Sequence, residues 1–223
     1  MSRRSVAVGA IAVVAFVMLG AAVVVGWEPL ARLDGVAVLD AHADVLAHSW
    51  LLTVAVIVTD AGSPVAVDVV TAVAAVVLLL ARRWRAAAFV VVARLLELGV
   101  ETVVKDLVAR PRPVLIDPVS HASSFSFPSG HAAGSAAVFG AVLVVVLGEL
   151  SAARRALRTS VVGLVVVFVA GVAASRVMLG VHYPSDVTGG VLLGIASLVA
   201  ARCVLPRVDP EVTTRAGSRP PSE

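Results

Sequence analysis

Lys105 and Arg112 are followed along the chain by Pro128-Ser129-Gly130-His131 and then by Ser175, Arg176, His182 and Asp186. The two cations bring positive charge and N–H donors, and the planar guanidinium of Arg112 can grip two oxygens of one oxyanion. Pro128-Ser129-Gly130-His131 reads as a helix start, where free backbone N–H groups and the helix dipole favour an anion. Glycine there permits close approach, and the Ser129 hydroxyl adds a donor. His182 and Asp186 stand four residues apart across a second helix start marked by Pro184. The carboxylate can hold one imidazole nitrogen and leave the other free as a nucleophile. Cations, two histidines and a carboxylate suit the binding and cleavage of a phosphate. Each part alone is commonplace: a lone histidine at a polar boundary is more often a bland residue, and Arg-Pro or Ser-Gly pairs recur widely. Arg110 and His121 fall in the same region, and nothing in their spacing gives them a role. The weight rests on the conjunction of residue type, spacing and order.

The elements that must position these residues follow from composition. Of 223 residues, 59% are hydrophobic, 15% charged and 4% aromatic, and mean hydropathy is +0.99. This excludes an ordinary water-soluble domain, which needs more polar residues to cover its surface. Apolar stretches at about 5–26, 64–81, 86–108, 130–147, 157–179 and 187–201 predict six transmembrane helices in an all-α, polytopic membrane protein. The first stretch follows Arg3 and Arg4 and exceeds the apolar core of a cleaved signal peptide, roughly 7 to 15 residues, so it reads as a retained span. Glu28 to Ser49, with Asp34, Asp40 and Asp44 among spaced apolar residues, reads as an amphipathic helix lying on the membrane surface. Leu51 to Thr59 is stopped by Asp60, Gly62 and Pro64 and is too short to cross. It reads as a shallow or re-entrant lead-in to the second span. The plan is one membrane domain, 1–205, and a disordered cytoplasmic tail, 206–223, rich in Pro, Gly, Ser and mixed charge. Cys203 is the single cysteine, so no disulfide framework or Cys-based zinc site is available.

Charge sets the expected orientation. Arg3, Arg4, Arg82, Arg83, Arg85, Arg154, Arg155, Arg158, Arg202, Arg207, Arg215 and Arg219 fall on one side, against Arg32, Lys105, Arg110, Arg112 and Arg176 on the other. Basic short loops mark the cytoplasmic face, so both termini are expected in the cytoplasm. His42, His48, His121, His131 and His182 then share the extracytoplasmic side with the phosphate-suited residues, and the active site is expected at those helix ends. The net charge of +3 is thereby a matter of topology and anion binding and does not point to nucleic acid. On the third span, Arg94, Glu97, Glu101 and Lys105 follow at spacings of three, four and four, which puts them on one helical face. Such a stripe is costly in lipid and should face the bundle interior, with Arg94–Glu97 and Glu101–Lys105 as pairs and Asp68 as a further partner for Arg94. The plainer alternative is that these charges only pin helices together.

Lys105-x6-Arg112-Pro113, Pro128-Ser129-Gly130-His131 and Ser175-Arg176-x5-His182-x3-Asp186 resemble the three signature motifs of the type 2 phosphatidic acid phosphatases, a family of membrane lipid phosphatases. The resemblance runs from the second span to the sixth. It implies a phosphatase needing no metal or other cofactor. In that family the residue matching His182 attacks phosphorus to give a phosphohistidine, and the one matching Asp186 orients it. The residue matching His131 protonates the leaving oxygen and then activates water, and those matching Lys105, Arg112, Ser129, Gly130, Ser175 and Arg176 bind the phosphate. Pro113, Pro128, Glu101, Glu97 and Arg94 are expected in supporting places. The family shares its site with vanadate-dependent haloperoxidases, so vanadate is an expected inhibitor.

The leading expectation is therefore a lipid phosphate or lipid pyrophosphate phosphatase of the cytoplasmic membrane, acting at its outer face. A lipid-linked phosphotransferase using the same site is a second reading, since a phosphoenzyme can pass its phosphoryl group to a hydroxyl other than water. A non-enzymatic transporter is a third, prompted by the Arg94, Glu97 and Glu101 stripe, but the clustering at one face favours an interfacial reaction. Undecaprenyl or other polyprenyl pyrophosphate, phosphatidylglycerol phosphate, phosphatidic acid and polyprenyl-phosphate sugar phosphates all fit as substrates, and the sequence does not choose among them or name an oligomeric state.

Overall fold

The structure is a computed structural model that describes residues 3–115 and 124–205. His121 and the 206–223 tail lie outside the described residues. Every regular element among the described residues is an α-helix: α1 (Arg3–Val24), α2 (Glu28–Ala47), α3 (Ser49–Ala61), α4 (Pro64–Leu80), α5 (Trp84–Val108), α6 (Gly130–Glu149), α7 (Arg155–Met178) and α8 (Pro184–Val204).

Helix ends follow local chemistry. Gly26 takes φ +63° just beyond α1, a conformation that costs glycine little. Ser63 caps α4, its hydroxyl accepting from Ala66 N–H at 3.2 Å with Pro64 next in line, as expected for a side-chain cap followed by proline. The apolar surface faces outward: Ile11, Val14, Leu80, Leu164 and Val167 are all exposed. For this chain, such a belt is a lipid-facing surface. Four helices, α1, α6, α7 and α8, are long and apolar enough to cross a membrane. The α2–α3 pair, bent by 115°, supplies a fifth crossing if it is one broken span. α4 is apolar but only 17 residues long, and α5 has length enough but carries the charged stripe. The chain is thus an all-helical, multi-pass membrane protein.

The expected lead-in at Leu51 to Thr59 is the body of α3, set at a sharp angle to α2. α2 is not the amphipathic surface helix expected: its buried face holds Asp34 and His42 beside Val38 and Val45, packed on α7 and α8, while Leu33, Val36 and Leu39 are exposed. Asp34 is therefore inside the protein and not on a membrane-surface face.

α6 and α8 form the central seam. A Cβ placed on Gly194 would lie 2.6 Å from the Ala133 carbonyl oxygen and 2.9 Å from Ala137 N, and one on Gly190 would lie 3.0 Å from Ala132 Cβ. The two backbones touch through small residues, as membrane helices do where close packing substitutes for a hydrophobic driving force. α5 seals the other flank, with Phe89, Val90 and Ala93 packed on Ala141, Val145 and Ala201.

On α5 the charged stripe faces inward. Arg94 Nε donates to Asp68 Oδ1 at 2.8 Å, Arg94 Nη1 pairs with Glu97, and Lys105 Nζ lies 2.6 Å from Glu101 Oε1. Gly134 of α6 leaves the room Arg94 occupies, since a Cβ there would stand 3.4 Å from its Nη1.

Candidate active site

The close α6–α8 seam sets two helix N-termini side by side, and Ser129 N–H donates to the Asp186 carbonyl at 3.0 Å across it. Around that bond the chain brings in the α5–α6 connection, carrying Arg110, Arg112 and Ser126, and the α7–α8 connection, carrying His182. All converge at one end of the bundle.

His182 is buried at 1% exposure. Its Nδ1 faces Asp186 Oδ2 at 3.5 Å and Ser126 Oγ at 3.4 Å, while its Nε2 faces Arg112 Nη1 at 2.9 Å. A guanidinium can only donate, so Nε2 carries the lone pair and Nδ1 carries the proton toward Asp186. Burial, opposed by the Asp186 hydrogen bond and reinforced by Arg112, pushes the His182 pKa down to about 4. The imidazole is accordingly neutral near pH 7, the form a nucleophile needs.

Asp186 is fully buried and well supplied with donors. Its Oδ2 accepts from Ser126 Oγ at 2.5 Å and Tyr183 N–H at 2.9 Å, and its Oδ1 accepts from Arg110 Nη1 at 2.6 Å. Arg112 is fixed as firmly: Nε donates to the Ser124 carbonyl at 2.7 Å, and Nη1 donates to the Val181 carbonyl at 2.7 Å. Burial holds the Arg112 pKa below its ordinary value.

The other residues expected from sequence surround this pair. His131, in the first turn of α6, lies within the electrostatic reach of Arg176, His182, Lys105 and Arg112. Arg176 ends α7 and donates from Nη1 to Thr59 Oγ1 of α3 at 2.7 Å. Ser175 turns its hydroxyl back to the Val172 carbonyl at 2.7 Å. Pro128 is fully buried, and Pro113 follows Arg112 in the α5–α6 connection. Gly130 lies against the Glu101 carboxylate so closely that a Cβ would overlap it. Arg94 and Glu97 are not part of this assembly; Arg94 pairs with Glu97 and with Asp68, deeper along α5.

Two groups here stand out. Ser129 Oγ and Arg176 Nε are buried with no hydrogen-bond partner among the described residues. Buried donors are rarely left so, and their presence beside a cationic, helix-N-terminal pocket is what an oxyanion would satisfy. An open cleft of about 460 Å³, lined by Glu101, Thr102, Lys105, Asp106, Ser124 and Phe125, lies alongside.

Spacing gives Arg110 no role, and the sequence pattern puts Asp34 on a surface helix. The structure puts both in the centre. Arg110 Nη1 also bonds Ser185 Oγ at 2.6 Å, its Nη2 reaches Asp34 Oδ2 at 2.8 Å, and the guanidinium lies 4.2 Å over the Tyr183 ring. Burial works against the Arg110 charge, but Asp186 and Asp34 outweigh it and its pKa is raised. Ser126 is a third residue that the sequence does not single out; its hydroxyl bonds Asp186.

A family model described as PAP2 superfamily matches residues 85–209. Over 95 residues the chain is 37% identical to phosphatidylglycerophosphatase B of Bacillus subtilis (strain 168), a stretch covering 42% of this chain and 45% of that protein. Over 99 residues it is 37% identical to decaprenylphosphoryl-5-phosphoribose phosphatase of Mycobacterium tuberculosis (strain ATCC 25618 / H37Rv), covering 43% of this chain and 48% of the other. The chain therefore spans about half the length of the curated relatives it matches. In fold it is similar to the crystal structure of the first transmembrane PAP2 type phosphatidylglycerolphosphate phosphatase from Bacillus subtilis. The TM-score is 0.77 at 24% identity, with 88% of this chain and 94% of that chain covered. The matched segment takes in α5 through α8 and the whole cluster except Asp34 and Thr59, and it spans more than half of the sequence: the chain belongs to the PAP2 superfamily, the type 2 phosphatidic acid phosphatases.

Proposed function

We propose that this chain is an integral-membrane phosphatase that hydrolyses the phosphomonoester or pyrophosphate of a lipid head group. The observation that carries the reading is the His182–Asp186 couple, with Arg112 on its free nitrogen and the unpartnered donors Ser129 Oγ and Arg176 Nε beside it. A tetrahedral oxyanion in that place would take up Arg112, Arg176, Lys105, Ser129 and the first-turn N–H groups of α6 at Gly130, with Ser175 as a further donor.

In the proposed reaction His182 Nε2 attacks phosphorus. The N–P bond forms as the P–O bond to the lipid breaks, and His131 as imidazolium gives its proton to the departing oxygen. Neutral His131 then takes a proton from water; the water oxygen bonds to phosphorus, the N–P bond breaks, and phosphate leaves. Asp186, 3.5 Å from Nδ1, orients the ring and stabilises the positive charge that the imidazole gains. Lys105, Arg112 and Arg176 supply the charge stabilisation that phosphoryl transfer depends on, so the reaction as written needs no metal.

The reading places α1, α4, α5, α6, α7 and α8 as six spans of the cytoplasmic membrane, both termini inside and the active site outside, in keeping with the arginine distribution. Substrates named for the relatives, a phosphatidylglycerophosphate and a decaprenylphosphoryl-5-phosphoribose, join the polyprenyl pyrophosphates and phosphatidic acid as those to assay first. Phosphate release by purified protein from this panel, with His182→Ala as the blank, tests the proposal. Release lost in the variant supports it, full activity in the variant removes it, and label passed to a lipid or sugar hydroxyl in place of free phosphate would make the chain a transferase. Vanadate is expected to compete with substrate.

A further inference from the structure

We propose that Arg110 and Asp34 are positioning residues that set the charge on the Asp186–His182 couple, so that α2, outside the matched family segment, takes part in tuning the nucleophile. The inference rests on the reading of His182 as the attacking group.

The geometry is a chain of four side chains. Asp34, with its side chain 1% exposed, accepts from Arg110 Nη2 at 2.8 Å, from Ser185 N–H at 2.9 Å and from the Ser185 hydroxyl. Arg110 Nη1 then reaches Asp186 Oδ1 at 2.6 Å, and the other Asp186 oxygen faces His182 Nδ1. Two buried carboxylates thus share one guanidinium. The trio carries one net negative charge, and as the N–P bond forms the imidazole acquires one positive charge. Without Asp34, Arg110 would cancel Asp186 and leave the cationic phosphohistidine poorly compensated. Without Arg110, two buried like charges would stand together and draw a proton.

Other charges facing His182 come from every neighbouring element and do not duplicate this trio. Arg112 from the α5–α6 connection and Arg176 from α7 act on it directly, as does His131 from α6. Glu101 of α5 acts on Arg112, Lys105 of α5 on His131, and Asp60 of α3 on Arg176. Arg112 stands at Nε2 of the ring, whereas Asp34 and Arg110 act through Asp186 at Nδ1.

The experiment is the pH profile of kcat/KM for one lipid phosphate, compared among wild type, Asp34→Asn, Arg110→Gln and the double variant. Removing the Asp34 charge makes protonation of His182 harder, so the acid limb moves to lower pH. Removing the Arg110 charge makes it easier, so the limb moves to higher pH, each by about one pH unit. The double variant returns the limb to near the wild-type position while kcat stays reduced. A clamp that merely held α2 on α8 would lower activity or yield without moving the limbs in opposite directions, and that result overturns the proposal. Should Asp34→Asn fail to accumulate, Arg110→Gln decides alone: its limb must move up. The His182 titration read by NMR in detergent needs no turnover. A wild-type protein without phosphatase activity would then count against the proposed function, while an unmoved titration in both variants would count against the coupling.

Discussion

Arg112 Nη1 stands 2.9 Å from Nε2 of His182, so the lone pair that would attack phosphorus is held by the cation that would hold the phosphate. In the proposed reaction, substrate binding would exchange one partner for the other: phosphate oxygens would draw the guanidinium and release the imidazole nitrogen toward phosphorus. Arg112 is suited to this because its backbone bonds to Ser124 and Val181 keep it in place when the His182 contact is given up.

Arg112→Ala should lower kcat/KM by about 10²–10³-fold, the scale on which one preorganised donor to a developing oxyanion acts. Arg112→Lys should recover little of it, because a point charge on a flexible stem cannot hold Ser124, Val181 and an oxyanion together. Steady-state phosphate release with both variants checks this; a lysine variant at wild-type rate would show that only net charge matters.

Asp186→Asn should lower kcat by about 10³–10⁴-fold, as an amide in place of a buried orienting carboxylate fixes the wrong imidazole tautomer. It should lower the unfolding temperature too, since the amide NH2 must face one of the donors from which the carboxylate accepts. The check is kcat alongside thermal unfolding in detergent. Comparable losses from Asp186→Asn and from a distant surface variant would deny Asp186 its special place.

Gly194 carries no functional group, yet Gly194→Val should be as damaging as a site variant. Even its Cβ would lie 2.6 Å from the Ala133 carbonyl, and separating α6 from α8 pulls Ser129 away from Asp186. An overpacked close contact of this kind costs about 1–3 kcal/mol. The expected outcome is a lower unfolding temperature with weakened substrate binding; unchanged values would mean that the seam gives way freely.

The acid limit of stability should also report His182. Its pKa is 6.5 in the unfolded chain and about 4 in the fold, so below pH 6.5 the unfolded state binds the extra proton. Stability is complete above pH 6.5, declines as pH falls toward 4 and levels off below, with a total loss of roughly 3 kcal/mol. Unfolding temperatures measured from pH 7.5 to 4 should show this decline, and His182→Gln should flatten part of it.

Much of this architecture was legible because its signals are local. The spacing of Arg94, Glu97, Glu101 and Lys105 fixes one helix face from the period alone, and those ion pairs form. Apolar length likewise marks α1, α6, α7 and α8. Arg110 was not legible: it sits two residues before Arg112 in the same connection, and its partners Asp34 and Asp186 are both 76 residues away. Asp34 was misread for the same reason. An acidic residue on an amphipathic helix looks solvated until the long-range cation that buries it is known, and periodicity carries no information about partners on other elements. The sharp bend between α2 and α3 also depends on their packing against α7, which length and hydropathy do not encode.

Attack of His182 on phosphorus is read most directly by acid-free denaturing quench of the purified protein during turnover of a ³²P-labelled lipid phosphate, followed by mapping of the label. The expected result is a phosphohistidine at residue 182 that is absent from His182→Ala and that, with a lipid pyrophosphate whose leaving phosphate needs no proton from His131, accumulates in His131→Ala, where water is no longer activated. Label retained in His182→Ala, or turnover with no label on the protein in either His131 background, would contradict it.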